Sequence, residues 1–421
     1  MKTKNMFYGW RVVAAGSALY GLGSSAVFYG FSTFFNPFMN EFGWTRALLS
    51  GVIAMSRFEG GLEGLIVGPI IDKYGARKVA IIGIIWAGLG FFAMLLVTKN
   101  ILTLYLIFGI LISMGYNAGF SRPADTAAAK WFIKKRGLAI SIVTSGNILV
   151  AILLPVLAWL IADFGWRTAS VCTGLFLLTC GLPVAYFLRS TPEEMGLRPD
   201  GETVTRAAQA TTGDSDGEIN LTVREALKTS ALWVFMIGMI CRGTVLSTIV
   251  VHQIPHLVDI GIDYRIASGV LGQMVFVSIA GRLGFGWLSD RYDKRRILFI
   301  CCLLQAIGLW IFINASTTGI LFLYVVVYGL GYGGAIPLTH ALRADLFGRK
   351  TFATMLGITT VITILPSVAA PVLIGHLYDI TQSYSASFYA LIIASLLAGF
   401  TFLAVRKPKP PARFRQIQAG N

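Results

Sequence analysis

The chain has 421 residues, 55% of them hydrophobic and 13% charged, with a mean hydropathy of +0.71 and a formal net charge of +15. A water-soluble domain is excluded, because apolar runs recur along the whole length and need lipid as solvent. Nucleic-acid binding is not what the charge encodes: Lys and Arg concentrate in the terminal segments and the even-numbered connections between runs, the positive-inside pattern of a multi-pass protein with both ends in the cytoplasm.

Twelve runs are expected to span the bilayer as helices, near residues 11–40, 47–71, 79–98, 101–123, 137–161, 168–188, 230–257, 266–289, 297–315, 318–341, 352–376 and 384–405. The first is too long for a signal peptide and lacks a small-residue cleavage site, so it is read as helix one. The predicted fold is an all-α membrane protein of twelve transmembrane helices in two pseudo-symmetric halves. The expected divisions are an N-terminal half over 1–188, a cytoplasmic linker over 189–229, a C-terminal half over 230–405 and a cytoplasmic tail over 406–421.

Along the first half, Tyr29 lies in the first run and Arg57, Glu59 and Glu63 in the second. Arg57 and Glu59 are two apart and point to different faces, whereas Glu63 shares the face of Glu59 one turn away. These three are read as a charge-balance network, with proton carriage by a glutamate as the alternative. The fourth run holds Asn117 within SMGYNAGF, where small residues permit close approach and an amide can donate to a carboxylate. Arg122 falls at the predicted end of that run, beside Pro123 and Asp125, and is read as an ion-pairing residue, in a gate or with the loop aspartates. Asn147 in the fifth run is a further polar candidate.

In the second half, the seventh run carries Arg242 near mid-depth and His252 and His256 nearer its other end. A histidine titrates near neutral pH, which makes His252 a proton-coupling candidate. Arg282 interrupts the eighth run eight residues before Asp290 and the cluster Lys294, Arg295, Arg296, which puts it ~12 Å inside the bilayer at ~1.5 Å per residue. A buried arginine there costs ~2.5 to 3.5 kcal/mol, and such residues usually face a polar cavity and carry function. The planar guanidinium stays charged and can grip a carboxylate with two hydrogen bonds, so Arg282 is read as the principal anion ligand, with Arg242 its rival. Tyr332 in the tenth run could add a hydroxyl. The literal GxGxxG from Gly329 to Gly334 lies inside a predicted span without a preceding strand and is read as a packing seam. Cys172, Cys180, Cys241, Cys301 and Cys302 show no CxxC spacing and are read as packing residues.

The halves repeat. Gly68 to Lys78, GPIIDKYGARK, matches Gly286 to Arg296, GWLSDRYDKRR, and a weaker echo joins Lys134–Ala139 to Gly348–Ala353. Parallel six-helix repeats place a solute site near the midplane. These Gly-x-x-x-Asp loops resemble the signature of the major facilitator superfamily, which implies rocking of two halves around a central cavity. Asp72 and Asp290 are then gating candidates, able to latch one side shut through basic groups or helix termini.

A narrower resemblance rests on Tyr8-Gly9-Trp10, on Trp131-Phe132 followed by Lys134 to Ala139, and on Pro192-Glu193-Glu194-Met195-Gly196. They look like the monocarboxylate transporter and oxalate/formate exchanger group. That resemblance implies proton-coupled movement of small carboxylates such as lactate, pyruvate or acetate, and Arg282 falls where the family carries its substrate-binding arginine. The chain departs from the animal members, with Tyr29 where they have a lysine and Ser278 where they have an aspartate. The exchanger's lysine in helix eleven is also missing, since Ala353 to Leu373 contains no charge, which favours monocarboxylates over dicarboxylates.

The expected function is proton–monocarboxylate symport by alternating access in the cytoplasmic (inner) membrane. Its partners would be the anion, a proton and the lipid bilayer, with no nucleic acid; no cofactor or metal is expected, and a monomer suffices. The alternatives are exchange of formate- or oxalate-like anions, or of nitrate-like anions held by Arg57 and Arg282. A non-transporting sensor or membrane enzyme is opposed by the lack of a P-loop, HExxH or other catalytic constellation.

Overall fold

In a computed structural model, residues 7–201, 221–262, 264–315 and 317–408 are described, and these are helical throughout with short connections. Residues 202–220 of the predicted linker and the tail from 409 lie outside the described residues. The helices are α1 (Tyr8–Phe42), α2 (Arg46–Tyr74), α3 (Ala76–Leu96) and α4 (Ile101–Trp131). A continuous run, Arg136–Phe187, follows and turns at Gly165, whose φ of 77° no other residue type adopts cheaply; its limbs, 136–164 and 166–187, are α5 and α6. Then come α7 (Ser230–Asp259), α8 (Tyr264–Ser289), α9 (Lys294–Ile313), α10 (Thr318–Phe347), α11 (Phe352–Thr381) and α12 (Ser385–Ala404).

Ten helical stretches among the described residues are long and apolar enough to cross a membrane. One of them is the bent α5–α6 pair, and α2 is left out because its middle carries Arg57, Glu59 and Glu63, so the twelve predicted runs map onto α1 to α12. The largest boundary differences are at α4 and α10, which continue to Trp131 and Phe347. Polar stretches there look like loops to a hydropathy reading, yet Asp125, Lys130 and Arg343 are buried within the helices.

Helix starts follow local chemistry. Thr45, Asn100, Thr229 and Thr317 each accept a backbone N–H of the first turn through the side-chain oxygen, satisfying a donor that the helix itself cannot. Asp293 caps α9 by accepting the Arg295 N–H at 2.9 Å, and the Arg295 guanidinium beside it holds its carboxyl below the usual carboxylate range.

The chain divides into two compact units, residues 1–216 with 350–358 and residues 217–349 with 359–421. In the first unit, α3 packs on α4 and α6, and α1 on α4 and α5. One end is tied by Glu41 of α1, which accepts from Trp166 Nε1 at 2.7 Å and from both terminal nitrogens of Arg167. At the other, Trp10 meets Phe132 at 4.8 Å between ring centroids and Tyr8 meets Trp131 at 5.6 Å. Asp200 there accepts the backbone N–H groups of Ile133, Lys134 and Lys135, closing the α4–α5 connection. The two aromatic motifs on which the narrower resemblance rests are thus packed together as scaffold.

In the second unit, α10 lies against α8 and α9, and α12 against α7 and α9. Its backbone-to-backbone contacts run through the Gly329–Gly334 segment. A Cβ on Gly333 would stand 1.9 Å from the Ser278 carbonyl oxygen, and one on Gly331 2.5 Å from that of Cys301. The GxGxxG is a helix-packing seam.

Candidate functional site

In the first unit, the functional side chains cluster where α4 lies on α2. Helix α2 carries Gly60, Gly64 and Gly68 at four-residue spacing, one stripe without side chains. A Cβ on Gly60 would stand 2.7 Å from Asn117 Nδ2. One on Gly64 would stand 2.9 Å from both terminal nitrogens of Arg122 and 2.7 Å from Gly357 Cα. The empty stripe lets Asn117 and Arg122 lie down against α2. Arg122 donates to the Gly60 carbonyl, and its guanidinium, only 7% exposed, is within electrostatic reach of Glu63, Glu59 and Asp125. Glu63 is 4% exposed, its carboxyl oxygens are buried without a hydrogen bond of ordinary geometry among the described residues, and the Asn117 side chain lies beside them. Arg122 therefore sits well inside α4, facing the carboxylates of α2.

Asp72, near the end of α2, makes a buried ion pair. Its Oδ1 accepts from Lys130 Nζ at 2.8 Å, and its Oδ2 accepts from the Thr354 backbone N–H at 2.9 Å and hydroxyl at 2.8 Å, all within the first unit. The Lys130 and Asp72 side chains are 7% and 11% exposed. Removing one partner of so buried a pair leaves an uncompensated charge. Asp72→Asn is expected to cost about 3 kcal/mol, read as a lowered thermal midpoint in detergent, and Asp72→Asn with Lys130→Met to recover part of it. Asp290, at the repeated position, is half-buried just beyond α8, and a nearby ion pair joins Lys294 to Asp345 at 2.8 Å.

In the second unit, Arg282 is 3% exposed on α8. Ser278, one turn earlier, turns its hydroxyl back to the Val275 carbonyl at 2.6 Å, so it offers no acid to the arginine. Arg242 on α7 is 8% exposed, and its Nε and Nη2 make no hydrogen bond. It lies within electrostatic reach of Tyr328, Cys301 and Cys302. Tyr324, Tyr328 and Tyr332 follow one another at helical spacing on α10, with ring centroids 5.4 and 6.4 Å apart. Tyr324 donates to Gln253 Oε1 at 2.8 Å, whereas the buried Tyr328 hydroxyl has no hydrogen-bond partner among the described residues. Of the three, the sequence reading singled out only Tyr332; the four-residue tyrosine spacing was the available signal for the other two.

His252 is engaged at both ring nitrogens. The Pro371 carbonyl, 2.9 Å from Nε2, can only accept, so Nε2 carries the proton and Nδ1 faces the Tyr384 hydroxyl at 3.3 Å. The imidazole ties α7 to α11 and to the start of α12. Tyr29 sits where α1 changes from a wide π-turn over Ser24–Phe28 to a tight 3₁₀ turn over Gly30–Phe34, its ring 4.9 Å from that of Phe28. Asn147 lies in a 3₁₀ turn, Gly146–Leu149, part-way along α5, with its side-chain oxygen buried and without a hydrogen bond among the described residues. Arg57 is exposed and rests 5.8 Å over the Phe28 ring.

A sequence profile of the Major Facilitator Superfamily matches residues 13–284 and 253–420. The chain belongs to that superfamily. Among curated proteins it is similar to mouse monocarboxylate transporter 12, 24% identical over 97% of this chain and 88% of the relative. It is 27% identical to human monocarboxylate transporter 11 over 96% of this chain and 83% of the relative. It is 25% identical to an uncharacterized MFS-type transporter, YcxA, of Bacillus subtilis over 87% of this chain and 88% of the relative. Among solved structures, the E. coli fucose:proton symporter matches with a TM-score of 0.68 at 11% identity, covering 94% of this chain and 98% of the other. A bacterial homologue of the iron transporter ferroportin matches at 0.72 and 14% identity, over 95% and 99%. At such identities the structural matches establish the major facilitator fold alone. This major facilitator chain is a multi-pass membrane transporter and not an enzyme.

Proposed function

We propose that this transporter moves small monocarboxylates, of the size of lactate, pyruvate or acetate, together with protons by alternating access. The observation that carries the reading is Arg282, a guanidinium only 3% exposed on an apolar spanning helix, with the neutral Ser278 one turn away. A buried cation of this kind is stabilised by an anion, and a carboxylate matches its two-pronged donor geometry. The relatives named monocarboxylate transporters support the substrate class. Electroneutral entry is the matching expectation: a proton carried with each anion keeps the cycle from moving net charge across the bilayer. Asn117, Tyr332, Tyr29 and Asn147 are the neutral candidates to complete the binding site, and Asp72, Asp290 and Arg122 the candidates for gating. Both termini are assigned to the cytoplasmic side on the distribution of the basic residues, and the cytoplasmic membrane and a monomer complete the proposal.

The test is uptake of labelled lactate, pyruvate and acetate into proteoliposomes with an imposed inward proton gradient, with external pH recorded. Accumulation that follows the gradient, with external alkalinisation, supports symport. Uptake indifferent to the gradient but stimulated by an internal anion overturns it in favour of exchange.

A further inference from the structure

His252 is hydrogen-bonded at both ring nitrogens, whereas the carboxyl of Glu63 is buried among charges. We infer that the transported proton is held by Glu63 on α2, with Arg122 and Glu59 as its electrostatic partners; this rests on the symport reading. The argument is one of charge counting in a buried place. Arg122 on α4 faces both Glu63 and Glu59 of α2, two acids around one base. The stretch of α11 packed on α2 at this level, Ala353 to Gly357, brings no charged side chain, and Lys130 is already committed to Asp72. One carboxylate can be balanced by Arg122. A further carboxylate ionised beside it carries an uncompensated charge out of water, which is more costly than taking up a proton.

The structure distinguishes between the two glutamates. Glu59 is half-buried and lies next to the Ser113 hydroxyl. Glu63 is 4% exposed, and both its oxygens are buried without a hydrogen bond of ordinary geometry among the described residues. An ionised carboxylate so placed has little beyond the Asn117 amide to accept from, whereas a protonated one is a neutral group whose burial is tolerable. Asn117 lies beside the same carboxyl, its amide over Gly60, so a change in the protonation of Glu63 is felt by a side chain that is itself a substrate candidate. Loading and unloading of the proton would then be set by whether Arg122 pairs with Glu63 or with Glu59, a switch between two neighbours one helical turn apart.

The experiment uses the full chain in proteoliposomes and compares wild type with Glu63→Gln and Glu63→Asp. Three quantities are read: gradient-driven accumulation of the labelled acid, substrate-driven proton movement by an entrapped pH dye, and exchange of labelled for unlabelled acid at equal pH. Gln mimics the protonated acid but cannot release the proton. The expected result is loss of accumulation and of proton movement in Glu63→Gln with exchange still present, which also shows that the variant is folded. Glu63→Asp is expected to stay coupled with a displaced pH profile. A coupled wild type whose Glu63→Gln variant still accumulates acid and moves protons overturns the assignment of Glu63. A wild type that exchanges acid but moves no proton overturns the symport reading, and the inference falls with it.

Discussion

Arg282→Ala is expected to abolish saturable uptake of monocarboxylates, and Arg282→Lys to leave only a weak residue. The guanidinium offers a carboxylate two parallel charge-assisted hydrogen bonds. With each at about 2 kcal/mol, losing both lowers affinity by a factor on the order of 10³. Lysine keeps the charge but presents a point donor on a flexible stem, so it loses the geometry and is expected to fall short of wild type by at least about tenfold. The measurement is the concentration dependence of uptake in proteoliposomes, paired with thermal unfolding in detergent to show that both variants are folded. Arg282 is 3% exposed, and Gly281 beside it packs on the Leu330 carbonyl, so its helix is held by backbone contacts that neither substitution touches. Normal transport by the alanine variant would move the carboxylate ligand elsewhere. Arg242 is then the next residue to replace, because it is buried and its Nε and Nη2 make no hydrogen bond.

The sequence exposes what hydropathy and charge encode. Twelve apolar runs become helices because each residue's backbone groups can be satisfied inside its own segment, the only economical arrangement in lipid. Arg282 stands out for the same reason, as a charge where the solvent is hydrocarbon. What hydropathy hides is a polar stretch whose polarity is cancelled by a partner distant in sequence. The ends of α4 and α10 look like loops until Lys130 is seen against Asp72, 58 residues away. Arg122 is misplaced for the same reason: one cannot know from RPADTAAAK that the helix continues, or that α2 offers it Glu59, Glu63 and a bare glycine face. His252 shows the limit from the other side. Its chemistry suggests a proton carrier, and only the fold supplies the Pro371 carbonyl and Tyr384 hydroxyl that occupy it. The glycine stripe of α2 is different, because Gly60, Gly64 and Gly68 were in view and their spacing is a packing signal.

That stripe yields the second large effect. Gly64→Leu is expected to abolish transport and to destabilise the protein, and Gly64→Ala to do both more mildly. A Cβ at Gly64 would stand 2.7 Å from Gly357 Cα and 2.9 Å from the two Arg122 terminal nitrogens, and one at Gly357 only 1.9 Å from the Gly64 carbonyl oxygen. Backbone cannot yield as a flexible side chain can, so the first turns of α11 must move off α2. The Thr354 bonds to Asp72, less than three turns further along α2, are strained with them. Overpacking a close contact costs about 1 to 3 kcal/mol, and leucine adds three further carbons in a place with no room for them. A second consequence is specific to the site: displacing Arg122 changes the charge seen by Glu59 and Glu63. The substitutions should therefore act differently at two readouts. Gly68→Ala meets the Ala353 carbonyl at 2.5 Å but not Arg122, so it is expected to lower the thermal midpoint while keeping the pH profile of whatever transport remains. Gly64→Ala is expected to lower the midpoint and shift that profile. Equal effects of both variants on the pH profile would mean that Arg122 does not set the charge state of the α2 glutamates.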